Sequence, residues 1–244
     1  MDKKFGLVGR NIAYSFSRGY FAEKFKTQGL QGYSYENFDL SDLQGFKAMA
    51  LNTPGLCGLN VTIPYKEAII AQLDAIDPVA EAIGAVNTIK VNNGKLHGYN
   101  TDAHGFEVSL VPHLHTGIKK ALVLGTGGAS KAVMHTLNKL GIEAVSVSRN
   151  PHPGQIAYSA LNKEIIDAHL LIVNCTPLGT FPEVSQKPDL PYDLITEKHL
   201  LYDLIYNPEE TAFLKEGKTR KARIANGYRM LVEQAEKSWE IWNS

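Results

Sequence analysis

The 244-residue chain is long enough for one large domain or two small ones, each with a substantial core. Its 25 basic and 25 acidic side chains cancel, which excludes bulk attraction to nucleic acid or to an anionic membrane. Two cysteines, Cys57 and Cys175, exclude a disulfide framework, lack metal-ligand spacing, and read as small buried residues in a reducing compartment. No run approaches the ~20 apolar residues that span a bilayer. The opening "MDKKFGLVG" has no apolar stretch of signal-peptide length, so a cytoplasmic location is expected.

In chain order, the first part alternates short strand-like runs with helical ones: "FGLV" at 5–8, a helix over 17–29, a second over 42–52, and the strand "LNVTI" at 59–63. Then come "AVNTIKV" at 85–91 and "KLHGYN" at 95–100, separated by Asn92-Asn93-Gly94, a strong hairpin signal. This half reads as α/β with a mixed sheet. The character changes near residue 102. "ALVLGTGGASKAVMHTLNKLG" at 121–141 is a strand, a glycine turn and a helix, followed by strands at 143–148, 169–177, 199–206 and 222–226. Continuous apolar strands of this kind belong to a parallel sheet covered on both faces. The last stretch, "GYRMLVEQAEKSWEIW", spaces its apolar residues as an amphipathic helix.

Gly125, Gly127 and Ser130 fill the small positions of GxGxxG/A, with Thr126, Gly128 and Ala129 between them. A GxG alone is weak; after a strand and opening a helix it becomes a dinucleotide fingerprint, because bare backbone lets a pyrophosphate reach the helix N-terminus. The next strand ends in "SVSRNPH", where an NAD reader would have an acid and this chain has Arg149. A cation suits a 2′-phosphate and favours NADP, although a surface arginine is the plain alternative.

The first half places polar residues at strand ends. Ser15 and Ser17 could be a polar turn or helix cap, Asn87 and Thr88 strand-edge residues, Asp102 an N-cap, and Lys66 a surface lysine opening a helix. Together with Asn60 and Thr62 they make a mostly uncharged hydrogen-bonding set, gathered where open α/β sheets bind ligands. Such a set suits a small polyhydroxylated molecule. A nicotinamide beside it implies hydride transfer at a carbinol carbon, with Lys66 protonating the oxygen and Asp102 orienting the lysine and sharing the proton traffic. His113 and His115 form no ligand pattern and read as solvated. No metal set is expected.

The series "SxS" at 15–17, "NVTIPYKE" at 60–67, "GAVNTI" at 84–89, "NTD" at 100–102, "GTGGAS" at 125–130, "NCTPLG" at 174–179, "YDLIYNP" at 202–208 and "MLVEQA" at 230–235 resembles the shikimate dehydrogenase family over nearly the whole chain. The resemblance implies an NADP-linked, reversible reduction of 3-dehydroshikimate to shikimate in aromatic amino-acid (chorismate) biosynthesis. It implies two domains. An N-terminal mixed-sheet substrate domain takes 1–102 plus 228–244, and a Rossmann-like doubly wound NADP domain takes 103–227, with the C-terminal helix returning to the first. It implies that Ser15 and Ser17 hold the substrate carboxylate, that Asn60, Thr62, Asn87 and Gln234 serve the ring hydroxyls with Tyr206 nearby, and that Lys66 and Asp102 are the catalytic pair. On the cofactor side it adds Ser148, Cys175, Thr176, Pro177, Leu204 and Gly227 to the glycine turn and Arg149.

The chain departs from the family pattern in three places. Asn150-Pro151-His152-Pro153 follows Arg149 where a second arginine is common, which leaves NAD possible. Arg18 follows Ser17 where proline is usual, and "GYRM" with Arg229 replaces "GLGM". The sequence also ends at Ser244, sooner after Gln234 than in many relatives. The substrate-side changes could admit quinate. A quinate/shikimate dehydrogenase with relaxed cofactor use, a sensor that binds without turnover, and a dehydrogenase acting on a folate carbon are the rival readings. Lys66 with Asp102 argues against the sensor, and Ser15, Ser17 and Gln234 against the folate enzyme. The partner expected is a small molecule, for a monomer or homodimer.

Overall fold

The computed structural model describes residues 2–13 and 15–244. It divides into two compact units, Met1–Thr101 with Ala235–Ser244, and Asp102–Gln234.

The first unit contains β1 (Lys3–Gly9), α1 (Phe16–Thr27), β2 (Tyr33–Asp39), α2 (Phe46–Asn52), β3 (Leu56–Val61), β4 (Ala75–Ile76), α3 (Pro78–Ile83), β5 (Thr88–Asn92) and β6 (Lys95–Tyr99). Its sheet runs β2-β1-β3-β5-β6-β4. β1 pairs in parallel with β2 and β3, whereas β3, β5 and β6 are antiparallel neighbours, so the sheet is mixed as expected. The β5–β6 hairpin turns at Asn93 and Gly94 with φ of 50° and 70°, the left-handed pair that a two-residue type I′ turn demands. The strand expected over 59–63 is displaced: it begins at Leu56 and ends at Val61, because the Tyr65 N–H closes a turn onto the Thr62 carbonyl at 2.9 Å.

The second unit contains α4 (Asp102–Leu110), β7 (Lys120–Leu124), α5 (Gly128–Lys139), β8 (Glu143–Ser148), β9 (Ile156–Ala157), α6 (Lys163–Ala168), β10 (Leu171–Asn174), β11 (Leu200–Asp203), α7 (Ala212–Thr219) and β12 (Arg223–Ala225). Its all-parallel order, β12-β11-β10-β7-β8-β9, is that of a doubly wound sheet whose direction of progression reverses between β7 and β10. Both faces are covered. Val123, Val173 and Tyr202 pack with Phe106 and Val133, while their strand neighbours Leu122, Ile172 and Leu201 pack with Ile166 and Phe213. That is why these strands carry unbroken apolar runs.

The last helix, α8 (Tyr228–Asn243), is divided between the units after Gln234. In its second half Trp242 lies against Gly58, where an added Cβ would meet the indole nitrogen at 2.2 Å, and its N–H donates to the Ile89 carbonyl at 3.0 Å.

Two minor expectations need correction. Cys57 and Cys175 are half-buried rather than fully buried. His113 is half-buried rather than solvated, and burial lowers its pKa, assisted by the nearby charges of Arg223 and Arg229. Among the described residues, no helix is long and apolar enough to cross a membrane.

Candidate active site

In the first unit, the turn after β3 is anchored on all sides. The Thr62 N–H donates to the Val8 carbonyl at 2.8 Å, the Arg10 N–H to the Ile63 carbonyl at 3.2 Å, and the Val86 N–H to the Lys66 carbonyl at 2.7 Å. Tyr65 is buried and its hydroxyl donates to the Leu40 carbonyl at 2.7 Å. Lys66 therefore stands half-buried on a turn held by two strands rather than on a helix; a short 3-10 turn begins only at Ala68.

Asn60 and Asn87 join one buried polar network. Asn60 Nδ2 donates to Ser238 Oγ at 3.0 Å, and to Thr88 Oγ1 and the Asn87 carbonyl, each at 3.3 Å. Asn87 Nδ2 donates to Thr101 Oγ1 at 3.0 Å, and its Oδ1 accepts the Thr101 N–H at 2.7 Å. The hydroxyls of Thr88, Thr101 and Ser238 lie 2.7–3.2 Å apart. Ser17 is buried in the first turn of α1, and the Tyr35 hydroxyl donates to Asn60 Oδ1 at 2.8 Å. Ser15 caps α1, accepting the Arg18 N–H at 3.3 Å. The structure thus links Asn60 and Asn87, and the hydrogen bonds of that network do not take in Ser15, Ser17 or Thr62. Tyr35, Thr101 and Ser238 hold it together with Thr88, and these three carried no site role in the sequence reading. Thr101 could have been found from "NTD"; Tyr35 and Ser238 belong to no motif.

In the second unit, Asp102 is the first residue of α4 and is buried, where the helix dipole favours a carboxylate. Gln234 is buried on α8, its amide donating to the Leu231 carbonyl at 2.8 Å, and α4 meets that helix at Gly105. Tyr206 follows β11 half-buried, and burial raises its pKa.

The cofactor residues collect at the carboxyl ends of the parallel strands. Gly125 follows β7 with φ of 101°, which glycine tolerates best, and an added Cβ would lie 3.2 Å from Thr176 Cγ2 in the loop after β10. Gly127 has an ordinary φ of −79° and open space where a side chain would stand, so nothing in the protein requires glycine there. That cleared space, at the N-terminus of the twelve-residue α5, is what a pyrophosphate needs, and the residues present fit a dinucleotide. Ser130, in the third small position, donates to the Gly127 carbonyl at 2.6 Å and so fastens the turn. Ser148 ends β8, and Arg149 is exposed just beyond it. Gly227 is pressed on the loop after β11: an added Cβ would meet the Leu204 carbonyl oxygen at 2.0 Å.

Beneath this rim lies a buried carboxylate. Asp203 ends β11 and accepts from Asn174 Nδ2 at 3.0 Å, the Ile205 N–H at 3.1 Å and the Thr211 hydroxyl at 2.6 Å. Burial pushes its pKa up to about 6, against the lowering effect of these three donors. Asn174 Oδ1 accepts both the N–H and the hydroxyl of Thr176, at 3.0 and 2.7 Å, which shapes the "NCTP" turn and sets Thr176 beside Gly125. Cys175, between them, has its thiol pKa raised by burial and by Asp203.

A doubly wound sheet with a glycine turn at its switch point, carried in one chain with a mixed-sheet unit, defines a two-unit, nicotinamide-dependent oxidoreductase of the α/β class. Residues 7–89 match the shikimate dehydrogenase substrate binding domain. The chain is 34% identical to shikimate dehydrogenase (NADP(+)) of Desulforamulus reducens, over 97% of this chain and 88% of that protein. It is 37% identical to the enzyme of the same name from Methanococcus maripaludis, over 98% and 91%. Shikimate 5-dehydrogenase of Thermus thermophilus, solved in complex with NADP(H) and shikimate, superposes with a TM-score of 0.87 at 33% identity, covering 98% of this chain and 93% of that one. The chain belongs to the shikimate dehydrogenase family.

Proposed function

We propose that this chain is an NADP-dependent shikimate dehydrogenase that reversibly reduces 3-dehydroshikimate to shikimate in chorismate and aromatic amino-acid biosynthesis, in the cytoplasm, as a monomer or homodimer. One observation carries the reading: a glycine turn at the switch point of a doubly wound sheet stands in the same chain as strand ends lined with uncharged hydrogen-bonding side chains. The near full-length similarity to NADP-dependent shikimate dehydrogenases supports it.

In functional terms, residues 1–102 with 228–244 form the substrate-binding and catalytic domain, and 103–227 the dinucleotide-binding domain. Ser15 and Ser17 donate to the substrate carboxylate. Asn60, Thr62, Asn87 and Gln234 meet the ring hydroxyls, with Tyr206 beside them. When bound, NADPH supplies the hydride. Gly125, Thr126, Gly127, Gly128, Ala129 and Ser130 cradle its pyrophosphate, and Ser148 and Arg149 take the adenosine 2′-phosphate. Cys175, Thr176, Pro177, Leu204 and Gly227 line the path to the nicotinamide. Lys66 gives a proton to the carbonyl oxygen as it becomes a hydroxyl, and Asp102 orients the lysine and takes part in the proton traffic; in the reverse direction the pair accepts the hydroxyl proton as the hydride leaves.

The test is a spectrophotometric assay with shikimate and quinate, each with NADP and with NAD. Shikimate with NADP should give the highest kcat/KM. The absence of reduced nicotinamide in all four combinations would overturn the reading.

A further inference from the structure

Tyr35 sits in the middle of β2, buried, with its ring stacked on Phe21 at 4.8 Å and an interplanar angle of 12°. Its hydroxyl donates to Asn60 Oδ1 on β3 at 2.8 Å.

Counting protons fixes the direction of each bond. The Asn87 carbonyl can only accept, so the group Asn60 turns toward it is the Nδ2 amide, and Oδ1 faces Tyr35. A carboxamide oxygen also only accepts, so Tyr35 commits its single proton to Asn60. The phenol therefore holds Asn60 with a second Oδ1 lone pair left for an alcohol.

We propose that Tyr35 is a positioning residue for substrate recognition, its hydroxyl presetting the Asn60 acceptor for a hydroxyl of the substrate. The proposal rests on the reading of Asn60 as a substrate ligand.

Tyr35→Phe removes the hydroxyl and keeps the stacked ring, so the fold is retained. The KM for shikimate should rise about tenfold, the weight of one lost hydrogen-bonded orientation. kcat should stay within about twofold and the dissociation constant for NADP, measured by fluorescence titration, should not change. Phe21→Leu disturbs the same stack without touching a hydroxyl, and serves as the packing control: it should lower the melting temperature and leave the shikimate KM near the wild-type value. An unchanged shikimate KM in Tyr35→Phe overturns the proposal while wild-type turnover leaves the functional reading intact. A rise matched by Phe21→Leu also overturns it, since packing would then be the cause. A wild-type protein that neither binds nor oxidises shikimate removes both.

Discussion

Lys66 reaches its position through three residues of different character. Ile63 and Pro64 are exposed, Tyr65 is buried, and the lysine follows with its carbonyl tied to Val86. A buried anchor directly before the lysine limits its main chain to one place, so the four-carbon stem alone governs the reach of the ammonium. An exposed lysine on a mobile loop would pay the ordering cost anew at each turnover; here most of it is met by folding. If the ammonium is the proton donor, Lys66→Ala should lower kcat by a factor of about a hundred or more, the usual weight of general acid catalysis. The NADP dissociation constant should stay within about twofold, because the dinucleotide residues lie in the other unit. Steady-state turnover and a fluorescence titration of NADP decide it: near-normal kcat would remove Lys66 from the mechanism.

At the scale of elements, the ends of β10 and β11 are coupled by Asn174 and Asp203, and the raised pKa of Asp203 makes that coupling pH-dependent. The carboxyl sits at about 6 in the fold against 3.8 as an ordinary aspartate, with desolvation the leading cause. A carboxyl raised by folding binds more protons in the native state. Its contribution is therefore complete below about pH 4 and is lost as pH climbs through about 6, a change on the order of 3 kcal/mol. Asp203→Asn keeps an acceptor for Asn174 and Ile205, can donate to Thr211, and cannot ionise. Denaturant unfolding at several pH values from 4 to 7 should show wild type losing stability relative to the variant across that window. A difference between the two that does not vary with pH would mean that Asp203 is not titrating there. The same strands illustrate what the sequence discloses. β7, β10 and β11 stand out as apolar runs because both their faces are covered. β2, "YSYENFD", escapes because it is an edge strand with only Tyr35 fully buried, and its polar alternation reads as a loop. α3 has a sequence signal in Asp77-Pro78 and Gly84 but only six residues to carry an apolar stripe. The glycine turn and the strand-end polar residues are legible as local motifs. Tyr35 and Ser238 are not, because their partners lie far away in sequence and only folding brings them together.

Across the whole molecule, each unit owns its hydrophobic cores. Two clusters belong to the first unit, built around Leu59 and Ile89 and around Phe5, Phe21 and Trp242, and two flank the parallel sheet of the second. The last helix supplies both units: Met230 enters a core of the second, and Ala235 and Trp242 a core of the first. Trp242 is the deeper commitment, with Phe5 and Phe21 at ring distances of 4.9 and 5.4 Å, Gly58 beneath it and the Ile89 carbonyl as its hydrogen-bond partner. Truncating so large a buried ring costs about 3–5 kcal/mol, much of the stability of a domain-sized unit. Trp242→Ala should therefore destabilise the first unit and abolish most shikimate turnover at 37 °C. No residue after Gln234 enters the cores of the second unit, so NADP affinity should survive. Differential scanning calorimetry with and without NADP separates the two effects. In the variant, the transition that moves to lower temperature should be one that NADP does not shift, while a second, NADP-stabilised transition should remain, raised by ~2.7 kcal/mol at a hundredfold excess over its dissociation constant. Loss of NADP binding in step with turnover would show instead that the second unit depends on the first for its fold.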